Sequence, residues 1–110
     1  MYVAIFELYG GYRMQSLCKG ENANELFDAF NKVQSLDCLV SMGASRERAK
    51  GKKELAKLES IIAKRYANNL TIEDLAGLDV TLSIGSIKCL EIAEGDSAEA
   101  ELRAKYPRAE

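Results

Sequence analysis

Residues 2–18 read YVAIFELY, then Gly10-Gly11, then YRMQSLC. The first run is apolar at nearly every position, with Glu7 its single charged residue, so both of its faces need cover. A strand of that kind belongs in the middle of a sheet. Two adjacent glycines take positive φ freely, which a two-residue hairpin turn requires, and Tyr9 and Tyr12 would then face each other across it. The returning run alternates. Tyr12, Met14, Ser16 and Cys18 share one face and Arg13, Gln15 and Leu17 the other, the pattern of a half-exposed strand nearer an edge.

A second hairpin is expected at about 79–93. Val80, Leu82 and Ile84 alternate with Thr81 and Ser83. Gly85-Ser86 suits a type II′ turn with Ile84 facing Ile87. The rest of the chain carries helical signals. Asn22 followed by Glu25 resembles a capping box, and Leu26, Phe27, Phe30 and Val33 follow at helical spacing, predicting a helix over about 23–35. A long helix is expected over about 46–67, with Ser45 as its cap and Asn68-Asn69 at its end. Thr71 with Asp74 opens a short helix at 72–77, and Asp96 with Glu99 caps a last one at 97–106, before Pro107. Residues 36–42 fit either a short strand or a buried connector. The expected fold is therefore α+β: one domain, 1–110, with an antiparallel sheet built from two β-hairpins and helices packed mainly on one face.

The long helix also carries the main functional hint. On a helical wheel Arg46, Lys50, Lys53, Lys57 and Lys64 fall within about 40° of one line, with Ser60 among them and Leu55, Leu58, Ile62 and Tyr66 opposite. The segment from Arg46 to Arg65 has a net charge of +5, so the remainder holds −7 against −2 for the whole chain. From Glu91 to Glu101 five acidic residues occur without one base. Separation of this kind marks a charged surface without naming its partner. It fits a solvated helix back whose lysine stems shield the core. It also fits non-specific contact with nucleic-acid phosphates, an acidic protein partner, or self-association of the basic helix with the acidic segment of a second copy. Tyr9 and Tyr12, at a hairpin tip, are the other candidate contact residues, because tyrosine is a frequent interface anchor.

Catalytic chemistry finds little support. With no histidine in 110 residues there is no Ser-His-Asp triad, Cys-His dyad or Cys/His zinc site. Gly51-Lys52-Lys53 fails as a P-loop, since Arg46 and Lys53 stand where a glycine and a Ser or Thr are needed. Glu7 is read as paired with Arg13 or Lys88, with a raised-pKa acid as the alternative. Cys18, Cys38 and Cys89 are widely spaced, odd in number and read as inert thiols in a reducing, cytoplasmic setting. No catalytic, cofactor-binding or metal-binding residues are assigned, no cofactor is expected, and no apolar run is long enough to span a membrane.

These readings point to a small non-catalytic binding protein acting through surface contacts, most readily with a protein partner. By compositional analogy it resembles phage or mobile-element inhibitors of host machinery. The alternatives are a nucleic-acid-binding accessory protein using the basic helix at 46–65, and a module for a small ligand held in a sheet–helix groove.

Overall fold

The computed structural model describes residues 1–10, 13–33, 52–82 and 85–110, apart from the side chains of Val33, Lys52, Lys53 and Leu82. Its elements run β1 (Tyr2–Tyr9), β2 (Arg13–Gly20), α1 (Ala23–Val33), α2 (Lys52–Tyr66), α3 (Ile72–Ala76), β3 (Asp79–Leu82), β4 (Gly85–Glu94) and α4 (Ala98–Lys105). The four strands form one antiparallel sheet in the order β2-β1-β4-β3. The expected α+β fold of two hairpins and packed helices is thus the observed one. Residues 36–42 and the helix start at 46–51 lie outside the described residues.

β1 is central, as its two-sided apolar pattern requires, and its side chains serve two cores. Ala4 and Phe6 face the larger one, with Leu26, Phe27 and Phe30 of α1, Leu58, Ile61 and Ile62 of α2, and Leu75 of α3. The rings of Phe6 and Phe30 stack at 4.5 Å between centroids, a contact worth about 0.5–1.5 kcal/mol beyond the area it buries. Val3 and Ile5 face the other side, where Ala98 and Leu102 of α4 cover them. Among the described residues, three helices therefore share one face and α4 covers the other.

A bulge at the β1–β4 pairing makes this second core work. Ile5 pairs with Glu91 and Phe6 with Cys89, which leaves Leu90 as the extra residue. Both Leu90 and Glu91 then serve the α4 side: Leu90 packs into the second core, and Glu91 accepts hydrogen bonds from Lys105 Nζ at 3.2 Å and Tyr106 Oη at 3.3 Å. Bulges commonly re-aim side chains in this way.

Both turns differ from the sequence reading. Tyr9 pairs with Arg13, not with Tyr12, so three residues join β1 to β2 where a two-residue turn was expected. Tyr12 itself lies outside the described residues. In the second hairpin Leu82 pairs with Gly85 and Val80 with Ile87, so Gly85 and Ser86 belong to β4, not to the turn. The connection, at 83–84, is also outside the described residues. The observed register sets buried Val80 beside buried Ile87, and burial on one face outweighs local turn preference in choosing a register. Gly85 is needed for another reason. It has φ +148°, and a Cβ there would collide with the main-chain oxygen of Tyr9.

The helix ends are largely as their sequences imply. Asn22 Oδ1 accepts from the Glu25 N–H at 3.0 Å, and the Glu25 carboxylate accepts from the N–H of Glu21. Thr71 and Asp74 form a reciprocal capping box on α3. The exception is α4, where Ser97 stands at the N-cap without a side-chain capping bond, in place of the expected Asp96–Glu99 pair. Its hydroxyl donates to Glu101 instead.

Candidate interaction surface

Helix α2 is amphipathic because its apolar residues recur three and four apart. Leu58, Ile61 and Ile62 are buried, while Ala56, Lys57 and Ser60 look outward. The helix lies beside α3 and β3, and a cleft of about 550 Å³ opens between them. Ala56, Ile61, Leu78 and Val80 supply its apolar surface; Lys57, Ser60, Asp74 and Asp79 supply polar groups. Gly77, which ends α3 by donating its N–H to the Glu73 carbonyl at 3.0 Å, also lines it. Residues from one side of the basic stripe thus border a groove whose far wall carries two aspartates.

Hydrogen bonds hold that rim in place. Lys64 Nζ donates to Asp74 Oδ1 at 2.8 Å, and the Thr71 N–H donates to Asp74 Oδ2 at 3.1 Å. The Lys64 bond first, and the Thr71 bonds after it, hold the Asp74 carboxyl down at about 2. On the opposite wall Lys57 Nζ donates to Glu54 Oε1 at 2.8 Å, while Glu54 Oε2 accepts from the Thr81 N–H of β3 at 3.3 Å. Hydrogen bonding with Lys57 lowers the Glu54 pKa, and the same bond raises that of Lys57. Asp79 stands 4.0 Å from Lys88.

The candidate residues fall into three groups. Lys57 and Lys64 are described, and each already holds a carboxylate of its own chain. Arg46, Lys50 and Tyr12 lie outside the described residues, as does the side chain of Lys53, whose backbone is in the first turn of α2. Tyr9 ends β1 with half of its surface exposed, on the opposite side of the sheet from Leu8.

The acidic segment is likewise engaged within the chain. Besides Glu91, Glu99 accepts from Lys19 at 3.0 Å and from Arg103 at 3.1 Å. Glu7 accepts from Gln15 Nε2 at 3.1 Å and stands 3.7 Å from Arg13, which bears out the pairing expected for it. Cys18 and Cys89 are buried beside the larger core, and burial pushes both thiols up to about 11, so they remain protonated near neutrality. The side chain of Lys19, next to Cys18 in sequence, reaches Glu99. Cys38 is outside the described residues.

Two features were not legible beforehand. Arg65 makes a two-pronged contact with Asp28, Nε and Nη2 each at 2.7 Å from a carboxylate oxygen, which ties α2 to α1. The groove itself joins residues from 56 to 80 through the packing of α2 on β3. The sole advance signal for either was the presence of unpaired opposite charges on separate helices. No family model, no curated protein and no solved structure matches this chain.

Proposed function

We propose that this protein is a non-catalytic interaction protein that meets a protein partner through the groove between α2 and the α3–β3 segment. One observation carries the reading: a groove with exposed Ala56 and the otherwise buried Ile61, Leu78 and Val80 at its base opens between walls that carry both signs of charge. Protein interfaces combine an apolar centre with a polar rim. A phosphate backbone meets a less suitable surface here, because Lys57 and Lys64 are neutralised by Glu54 and Asp74 and Asp79 adds a further negative charge. Such a protein acts by occupying a surface of its target, the manner of a small inhibitor. The free thiols of Cys18 and Cys89 suit work in a reducing cytoplasm.

Substitution on the exposed groove wall tests this. Ala56→Arg fills the groove without touching the buried face of α2, and Glu59→Arg alters an exposed residue of the same helix that does not line it. Both proteins, with the parent, are used to capture partners from the native host with and without nuclease. The expected result is a nuclease-resistant protein retained by the parent and by Glu59→Arg, and lost with Ala56→Arg. Capture that disappears with nuclease would favour the nucleic-acid reading, and equal capture by Ala56→Arg would remove the groove from the account.

A further inference from the structure

One wall of the groove is β3, the outermost strand on that side of the sheet. The Leu78 carbonyl accepts from the Cys89 N–H at 2.9 Å. Leu78 and, two residues on, Val80 therefore turn their main-chain groups toward β4. Successive residues of an antiparallel strand face opposite sides, so Asp79 and Thr81 turn theirs away from β4. The Thr81 N–H shows where that direction leads: it donates to Glu54 Oε2 of α2 at 3.3 Å. A carboxylate oxygen thus occupies the place that a carbonyl of an added strand would take. On the α2 side the wall is made by Ala56 and Ser60, one turn apart and both small, and the cleft of about 550 Å³ opens between helix and strand.

The charges of the groove are already matched within the chain. Lys57 holds Glu54 at 2.8 Å, Lys64 holds Asp74 at 2.8 Å, and Asp79 stands 4.0 Å from Lys88. A charged occupant would break one of these pairs or stay unpaired itself, whereas an uncharged one leaves all three in place. The base is apolar, formed by Ile61, Leu78 and Val80. We propose that the groove takes its partner as an extended, uncharged segment rich in β-branched residues, which pairs with β3 and sets a carbonyl on the Thr81 N–H in place of the Glu54 carboxylate. Glu54 keeps its bond to Lys57 in that exchange. Main-chain bonds supply the affinity, and alternate side chains laid against the apolar base supply the selectivity, the division of labour in strand addition generally. This inference rests on the groove being the partner site and adds the form of the partner.

The test titrates the isotope-labelled full chain with a synthetic peptide of alternating Val and Thr, capped at both ends. Expected are amide shifts at Asp79, Thr81 and Ala56. The same peptide with N-methylated amides, and one with Lys in place of Thr, should both fail to bind. The Glu54 carboxyl is held below its ordinary value by Lys57 first and by the Thr81 N–H after it. It should titrate at a higher pH with the peptide bound, because the second of those bonds is gone. Glu54→Ala removes the competing acceptor and should tighten binding about fivefold, while Ala56→Arg should abolish it. The proposal is overturned if the N-methylated peptide binds equally well, if the Glu54 titration does not move, if Glu54→Ala binds more weakly, or if millimolar peptide leaves the Thr81 amide in place. A host partner that is still lost with Ala56→Arg while Thr81 stays unmoved would remove the strand and keep the groove.

Discussion

Asp74 concentrates several local interactions in one side chain. It caps α3 with Thr71, pairs with Lys64 across to α2, and borders the groove. Its carboxyl is held at about 2, below the ordinary value of 3.8. A depressed folded-state pKa favours the folded protein at pH values above the unfolded-state pKa, and the benefit fades as pH falls toward the folded value. Stability should therefore decline between about pH 4 and pH 2 in part through this residue. Urea unfolding midpoints measured across that window should fall more steeply for the parent than for Asp74→Asn. Parallel profiles would show that Asp74 contributes nothing to acid sensitivity.

Helix α3 is five residues long, too short to persist without help, since isolated helices below about 12 residues are marginal. Its capping box, the Lys64–Asp74 pair and buried Leu75 supply that help. Thr71→Ala removes the side-chain acceptor for the Asp74 N–H and should cost about 1 kcal/mol. Hydrogen exchange should show the loss first at the amides of α3. An unchanged exchange rate there would mean that packing of Leu75 alone holds the helix. Helix α2 shows the same dependence on tertiary partners at larger scale. Its stripe of like charge was legible from spacing, but Asp74 sits close enough to offset Lys64 only because α2 lies against α3. Glu54 was within reach in sequence, three residues from Lys57, yet its second bond, to the Thr81 N–H, appears only when β3 is alongside.

The whole molecule depends on one strand with two buried faces. Removing a large side chain from either face leaves a void the neighbours cannot fill, but the two cores differ in size. Phe6→Ala should destabilise by about 3–5 kcal/mol, because Phe6 is fully buried and stacked on Phe30. Leu102→Ala, on the α4 side, should cost about 2–5 kcal/mol, toward the lower end because that core is smaller. Chemical denaturation of the two variants checks the order. If Leu102→Ala proved the more damaging, α4 would be the dominant support of the sheet.

By itself the sequence determined the class of fold, the central place of β1, the edge character of β2, the helix at 52–66 and the caps of α1 and α3. These follow from hydrophobic periodicity and from side chains bonding to their own backbone within four residues, both written locally in the chain. The tertiary structure alone decided the hairpin registers, the bulge at Leu90, the side of the sheet taken by α4, the Arg65–Asp28 contact and the groove. Each depends on groups far apart in sequence being brought into contact, and pairing is then selected by total burial and charge neutralisation, which no local pattern encodes. Gly85 shows the distinction at one position. Its lack of a side chain suggested a turn, but the structure uses it to let β4 pass close to the backbone of Tyr9.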